Sequence, residues 1–272
     1  MIKKVISGFL SLSLIFVLAI PTYATSTENT QIELNPLFVQ GMSNGTISLD
    51  SSGKIQLKTS EKVYNEIAED MGMINELIDI GLYDAYLTET GELDLSLNKN
   101  FNDSPEPNFA LSEFFSEHFL ANDSCSVHIA TRAHSCSYEP LDLGDLVETN
   151  YTGLEDYYMW CIEQEVKYGV SMDPGVSTIA VWINSVREGG VWDYKVQLGG
   201  YDTIFCCDYD GGSNEHKTAE FIGNYNYGYT GSFLFSLDIL FWGSAVVADD
   251  IRSEYKDRPV IEEGYDDAVA RH

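Results

Sequence analysis

The pattern of apolar and polar positions divides the chain into two parts. In the first part, apolar and polar residues alternate over residues 47–57 around a Ser-Gly turn and again over residues 86–95, which predicts two β-hairpins. Between them, apolar residues recur at helical spacing, which predicts a helix over residues 60–80 that ends at Gly81. The apolar stripe of this helix consists of Val63, Ile67, Met71, Ile74 and Ile78. We therefore expect a small α+β module over residues 25–97, either a binding module or a spacer.

The second part, residues 141–272, is rich in aromatic residues and has mainly helical spacing. The predicted helices cover residues 145–170, 176–187, 232–255 and 259–270, and Pro259 opens the last of them. Two short strands are predicted at residues 192–198 and 202–208, joined around Gly199 and Gly200, and residues 214–217 are predicted to be a polar loop. The expected fold class is therefore α+β, with a helix-dominated C-terminal domain that contains a short β-hairpin.

Residues 98–140 are predicted to be a linker region with one short helix at residues 110–120. Here Cys125-x-x-His128 and His134-x-Cys136 offer two thiolates and two imidazoles, which are the ligands of tetrahedral zinc. The spacing differs from that of common zinc fingers, and exported cysteines usually oxidise, so a Cys125–Cys136 disulfide is the alternative. No metal ligand is assigned, and no cofactor is expected.

The chain has five cysteines, an odd number that leaves one free thiol or an intermolecular bond. The remaining three are Cys161, Cys206 and Cys207. Because Cys206 and Cys207 are adjacent on a predicted strand, they point to opposite faces of it. Each is therefore expected to pair elsewhere or to stay buried.

The N-terminus has the layout of a signal peptide. Lys3 and Lys4 precede an apolar run over residues 5–20. The segment Thr22-Tyr23-Ala24 follows and has small residues at positions −3 and −1 relative to the expected cleavage site. We expect cleavage after Ala24 and a secreted, extracellular protein, with an uncleaved membrane anchor as the alternative. The apolar stretch at residues 233–248 is too short to span a bilayer, so no stable membrane insertion is expected.

The formal charge of −28 comes from 43 acidic and 15 basic residues. A charge of this size keeps a protein soluble and repels polyanions. It counts against a broad nucleic-acid-binding surface, although a local basic pocket remains compatible with it.

The densest mixture of aromatic, Gly, Asn and charged residues lies between residues 191 and 231. Gly lets backbone approach a ligand, and Tyr and Trp supply rigid contact surface, so such a mixture is typical of sites. Four short motifs occur in and around this stretch. They are Trp182, Val186 and Gly189-Gly190; then Trp192-Asp193-Tyr194-Lys195; then Gly223-Asn224, Tyr227-Gly228 and Gly231; and finally Asp257, Ile261 and Gly264.

On these motifs, residues 145–270 resemble the bacterial toxin domain called polymorphic toxin type 44. The resemblance implies a toxin with predicted ribonuclease activity and a cognate immunity protein as its partner. RNA cleavage needs a base, an acid and a cation that stabilises the developing phosphorane. Lys195 is the candidate cation. Because Asp193 lies two residues away on a predicted strand, the two side chains are expected to share a face and form a paired site.

Further candidate catalytic residues are His216, which titrates in the range that proton transfer requires, Tyr227 as a hydrogen-bond donor, and Asp257 as a base or metal ligand together with Asp249 and Asp250. The candidate substrate-binding residues are Trp192, Tyr194, Asn224 and Tyr225. Each has a structural alternative: a surface ion pair for Asp193 and Lys195, a solvated loop for His216, helix packing for the tyrosines, and a favoured helix start for Asp257.

Two other classes of function stay open. A glycan or peptidoglycan hydrolase would use a carboxylate pair, such as Asp193 with Asp257 or Asp249, in a cleft with the carboxyl groups roughly 5–9 Å apart and one pKa raised. A secreted binding protein without activity would leave Lys195 exposed and have no cleft behind the W-D-Y-K motif. A ribonuclease would instead show a local positive patch around Lys195.

Overall fold

The structure is a computed structural model that describes residues 34–98, 101, 109–120, 137–209, 213–247 and 251–272. The predicted signal peptide, the Cys125–His134 region with Cys136, and Asp249 and Asp250 lie outside the described residues. The described residues form two compact units, those up to 111 with 158–177 and those of 112–157 with 178–272, and the chain crosses between the units inside three helices. Within the described residues, no helix is long and apolar enough to cross a membrane.

The first unit contains two antiparallel hairpins around a helix, as the sequence predicts. Its elements are α1 (Pro36–Asn44), β1 (Ile47–Leu49), β2 (Ile55–Leu57), a 3₁₀ turn (Lys62–Tyr64), α2 (Asn65–Asp79), β3 (Tyr83–Leu87), β4 (Leu93–Leu97) and the C-terminal part of α4 (Leu143–Tyr168). The helix α2 begins five residues later than predicted, so Val63 lies before it and is 55% exposed. The buried stripe is Ile67, Met71, Ile74 and Leu77.

Polar contacts join α2 to its neighbours in this unit. The Asn75 side chain accepts from the Ile55 amide and donates to the Ile55 carbonyl oxygen, both at 2.8 Å, and so holds the end of the first hairpin. The Tyr168 hydroxyl donates to the Asp70 carboxylate at 2.6 Å, and Lys167 pairs with Glu66. These contacts account for the polar residues of α2 without assigning a ligand to them.

The second unit is α+β with helix predominating, which confirms the expected fold class. Its elements are α3 (Phe109–His118), β5 (Glu139–Asp142), the N-terminal part of α4, α5 (Pro174–Val186), α6 (Tyr194–Gln197), β6 (Ile204–Tyr209), β7 (Ser213–Thr218), α7 (Ala219–Gly231), α8 (Leu237–Val247) and α9 (Ile251–Arg271). The sheet has the order β5-β6-β7; β5 runs parallel to β6, and β6 runs antiparallel to β7.

The strand predicted at residues 192–198 is wrong, because the chain turns there into the short helix α6. The Trp192 amide donates to the Ser185 carbonyl oxygen at 2.8 Å, and the Asp193 carboxylate accepts from the Gly189 amide at 2.9 Å. These bonds fold the chain back onto the end of α5. Asp193 and Lys195 therefore do not share the face of a strand.

The strand predicted at residues 202–208 exists as β6, but its hairpin partner is β7, where the sequence predicted a polar loop. In this ladder His216 lies opposite Cys206. The described cysteines Cys161, Cys206 and Cys207 are buried, and burial raises the pKa of the Cys207 thiol to about 12. These thiols are therefore core residues.

The helices after the sheet also differ from the prediction. The helix predicted over residues 232–255 is divided between α8 and α9, and Gly223 and Asn224 lie inside α7. Pro259 does not open the last helix, because α9 already begins at Ile251. A proline inside a helix lacks one intrahelical hydrogen bond, a cost that the packing of α9 has to offset.

Candidate functional site

Most residues of the four motifs are contacts between backbones or rings in the second unit. A methyl group at Gly190 would lie 2.7 Å from the Ser185 carbonyl carbon, so glycine is needed where the chain passes the end of α5. The Trp182 indole donates to the Thr230 hydroxyl at 3.0 Å and thereby joins α5 to α7. These residues build the fold and are not available for chemistry.

The motif residues of α7 and α9 form a close contact between two antiparallel helices. At Gly228 a methyl group would lie 2.9 Å from the Ile261 carbonyl carbon, and at Gly264 one would lie 3.0 Å from the Tyr225 carbonyl carbon. Across the same contact, the Tyr225 hydroxyl donates to Asp267 at 2.6 Å. Burial and this carboxylate raise the pKa of Tyr225. The structure thus places Tyr225, a predicted substrate-binding residue, in a helix contact.

The W-D-Y-K motif packs its first three side chains into the core. Trp192 is 3% exposed and meets Phe115 edge-to-face at 5.6 Å. Asp193 is 8% exposed. The Tyr194 hydroxyl accepts from the Asn150 amide at 2.8 Å, and the same amide donates to Asn226 on α7 at 2.8 Å. The motif and α7 are therefore joined through a residue of α4 that the sequence analysis missed.

Lys195, the fourth residue of the motif, lies against α7. Its Cγ and Cε would lie 3.5 and 3.6 Å from a methyl group at Gly223, at ordinary van der Waals distance, so the lysine stem lies along the helix. The Nζ atom lies 5.7 Å from the centroid of the Tyr201 ring. We call Trp192–Lys195 together with Tyr201, Gly223 and Asn224 the W-D-Y-K junction. It is the place where two of the four motifs meet.

Lys195 is half-buried and, in the part of the chain that the structure describes, forms no ion pair with a carboxylate. By contrast, Lys54, Lys167 and Lys217 each pair with an acid. Lys58, Lys62 and Lys256 also form no ion pair with a described residue, but these three are exposed, whereas Lys195 is half-buried. An unpaired cation beside an aromatic ring is suited to binding an anion.

Polar groups near the junction also lack partners among the described residues. The Trp192 Nε1 and Asn226 Nδ2 atoms are buried without a hydrogen-bond acceptor, and both are donors. Asn224 is 7% exposed, and its side chain makes no hydrogen bond with a described residue. Buried polar groups are normally satisfied, so these groups are exceptions among the described residues.

The structure does not bring the other predicted catalytic residues to this junction. The Tyr227 hydroxyl donates to the Leu240 carbonyl oxygen at 3.1 Å, and its ring packs on Trp182 at 4.9 Å. His216 is exposed on β7, with its ring against Tyr138 at 4.8 Å. Asp257 lies one turn before Ile261, opposite the C-terminal end of α7, so that roughly 13 Å of helix separate it from the level of Gly223.

Tyr201 is a residue of the junction that the sequence analysis did not select. It is 56% exposed and follows Gly199 and Gly200, whose φ angles of 90° and 117° need glycine. Burial, and then the charges of Asp193 and two glutamates, raise its pKa. An aromatic residue directly after a glycine pair was the available signal.

A groove lies between α3 and α4 in this unit. It has a volume of about 500 Å³ and is lined by Glu117, His118, Phe119, Glu148, Thr152 and Asp156. Glu148 accepts from the Tyr229 hydroxyl at 2.6 Å and pairs with Arg271 at 3.6 Å. Glu155 lies near this groove, and its pKa is raised by burial and by the charges of Asp156 and Glu148. The sequence analysis did not predict this groove.

Among the described residues, no group of three or more His, Cys, Asp or Glu side chains is arranged to hold a metal ion. No family model, no curated protein and no solved structure matches the chain. The resemblance to the type 44 toxins therefore rests on the four motifs alone.

Proposed function

We propose that the second unit cleaves phosphodiester bonds in RNA at the W-D-Y-K junction. The observation that carries the proposal is the position of Lys195, which is half-buried beside α7 and has no acidic partner among the described residues. A cation in such a place is available to a phosphate and to the charge that develops on phosphorus during cleavage. The resemblance to a family of predicted ribonuclease toxins supports the same reaction.

Asp193 is the proton acceptor in this proposal. One of its carboxylate oxygens accepts from the Gly189 amide, which fixes the group in place, and the other oxygen remains for the ribose 2′-hydroxyl. The 2′-oxygen then attacks phosphorus to form a 2′,3′-cyclic phosphate, the bond from phosphorus to the 5′-oxygen breaks, and the 5′-oxygen takes a proton from water, while Lys195 stabilises the phosphorane between the two steps. Asn224, the neighbour of Gly223 on α7, supplies an amide for positioning the substrate.

The acidic surface sets a condition on this activity. Because the net charge of −28 repels a polyanion, binding depends on local contacts and not on the field of the whole protein. We therefore expect weak binding that favours short substrates. Purified protein should cleave RNA oligonucleotides of a few nucleotides at least as well as long RNA.

The test compares Lys195→Ala with Lys217→Ala on total RNA, with and without divalent metal. Lys217 is a matched control, since it is also partly buried against α7, with its ammonium 4.0 Å from the Phe221 ring centroid, but it is paired with Glu215 at 2.9 Å. We expect Lys195→Ala to lower the rate about 100-fold or more and Lys217→Ala to leave it close to wild type. Equal effects of the two substitutions, or RNA that stays intact with the wild-type protein, would refute the proposal.

A second candidate function is glycan hydrolysis in the groove between α3 and α4. The observation that favours it is the raised pKa of Glu155 close to the carboxylates of Glu148 and Asp156, because a glycosidase needs one protonated and one ionised carboxyl group. His118 and Phe119 add ring surface for sugars. Release of muropeptides from purified peptidoglycan, lost in Glu155→Gln and kept in Lys195→Ala, would establish this function in place of the first.

A further inference from the structure

We propose that Tyr201 is a stacking platform for an unpaired base, so that the W-D-Y-K junction takes single-stranded RNA and not a duplex. This inference rests on the proposed phosphodiester function, because it places the base beside the phosphate that Lys195 contacts. It goes further by naming the form of the substrate and the residue that selects it.

No hydrogen bond among the described residues accounts for the Tyr201 side chain, in contrast to other tyrosines of the protein. The hydroxyls of Tyr168, Tyr225 and Tyr229 each donate to a carboxylate at 2.6 Å, and the hydroxyl of Tyr194 accepts from Asn150. Tyr201 makes no side-chain hydrogen bond with a described residue, and 56% of it is exposed. Its ring is therefore available to a ligand.

The backbone of Tyr201 is held in place. Its carbonyl oxygen accepts from the amide of Glu220, in the first turn of α7, at 3.2 Å. The chain turn that contains Tyr201 is closed by the Thr203 amide, which donates to the Gly200 carbonyl oxygen at 3.0 Å. An exposed ring on an anchored backbone loses little conformational entropy on binding, which is the property of a good recognition residue. Val196, 56% exposed, and Ile204, 36% exposed, extend the apolar surface on either side of it in the chain.

Charged groups are arranged around the Tyr201 ring. Lys195 lies 5.7 Å from the ring centroid, near the outer limit of a cation–π contact, so it is free to move toward a phosphate. Asp193, Glu188 and Glu220 are close enough to raise the pKa of Tyr201. A single strand can place a phosphate at Lys195 and an unpaired base on the exposed Tyr201 ring, whereas the bases of a duplex are paired and stacked on their neighbours and cannot stack on it.

Binding of a fluorescently labelled, 2′-O-methylated RNA oligonucleotide, measured by anisotropy, separates recognition from cleavage because this ligand has no free 2′-hydroxyl. The proteins are wild type, Tyr201→Leu, Tyr201→Trp and Tyr86→Leu. Tyr86 is the matched control, since it is 45% exposed on a hairpin of the other unit. We expect Tyr201→Leu to weaken single-strand binding about 5- to 100-fold, Tyr201→Trp to retain it, and Tyr86→Leu to leave it unchanged. The same oligonucleotide in a duplex should bind more weakly than the single strand.

The outcomes distinguish this inference from the function on which it rests. If Lys195→Ala abolishes RNA cleavage while Tyr201→Leu binds as tightly as wild type, the stacking role is refuted and the phosphodiester function stands. If binding depends on Tyr201 but no RNA is cleaved, the stacking site is supported and the cleavage is refuted. A wild-type protein that neither binds nor cleaves RNA refutes both. Because Tyr201 is exposed, unchanged circular dichroism of its variants is expected and is checked first.

Discussion

The contact between α7 and α9 depends on glycine where the two backbones meet, and Gly228→Ala tests it. A methyl group there would lie 2.9 Å from the Ile261 carbonyl carbon and closer still to its oxygen. Carbon contacts are most favourable at about 3.5–4.0 Å, so the helices have to separate by roughly 0.5–1 Å, which forfeits about a quarter to a half of the dispersion energy of each contact. We expect the free energy of unfolding to fall by about 1–3 kcal/mol.

Thermal unfolding of the mature chain, followed by tryptophan fluorescence, measures this effect, because Trp182 is bonded to Thr230 on α7. At about 2–4 °C per kcal/mol, the midpoint should fall by about 2–12 °C. Gly223→Ala is the control on the same helix: its methyl group meets Lys195 at an ordinary 3.5 Å, and alanine favours a helix by up to about 1 kcal/mol. A Gly228→Ala protein as stable as wild type, or equal losses in both variants, would refute the helix contact.

Further predictions concern the polar contacts. Tyr225→Phe loses the bond to Asp267 and should cost about 1.5–3 kcal/mol in thermal unfolding without changing oligonucleotide binding; weaker binding at unchanged stability would contradict this. The pKa of Glu155 is raised, first by burial, so wild-type stability should fall as pH rises above about 4.3, and Glu155→Gln should remove that fall. The pKa of Asp50 is lowered by hydrogen bonds from Ser52 and Lys54. Its carboxylate therefore contributes to folding stability above about pH 3.9, and this contribution is lost as the pH falls further. Asp50→Asn should thus lower the unfolding midpoint at neutral pH only, and parallel midpoint–pH curves for wild type and variants would contradict both pH predictions.

The first unit could largely be predicted from the sequence because its elements form through local interactions. Each hairpin joins neighbouring strands around a glycine turn, and φ is positive at Gly53 and at Gly91, where only glycine fits easily. The helix α2 shows its stripe at a spacing of three and four residues. Its start was misplaced, since a 3₁₀ turn precedes it and no side chain caps it, and the last buried position is Leu77 where Ile78 was predicted.

The W-D-Y-K turn and β7 could not be predicted because distant parts of the chain decide both. Residues 192–198 alternate like a strand, but bonds to the Ser185 carbonyl oxygen and the Gly189 amide bend them into α6. The sequence of β7, Ser-Asn-Glu-His-Lys-Thr, has no apolar residue to announce a strand. β7 is an edge strand, and it is stabilised by backbone pairing with β6 and not by apolar side chains of its own.

The sequence indicated the stretch that contains the candidate site, but not which of its residues lie together. Residues 191–231 do contain the junction, yet glycine and tyrosine there were assigned to chemistry when several of them serve packing between helices. Sequence patterns do not distinguish a glycine that admits a ligand from one that admits another helix, because both require the absence of a side chain. Gly228 belongs to the second kind.

Among the described residues, Lys195 has no acidic partner, although Asp193 lies two residues before it. The Asp193 side chain is 8% exposed, and one of its oxygens accepts from the Gly189 amide. Burying a carboxylate costs free energy that a single amide bond offsets only in part. Because a nearby carboxylate also repels a phosphate, the proposed binding depends on direct contact between the phosphate and the Lys195 ammonium group.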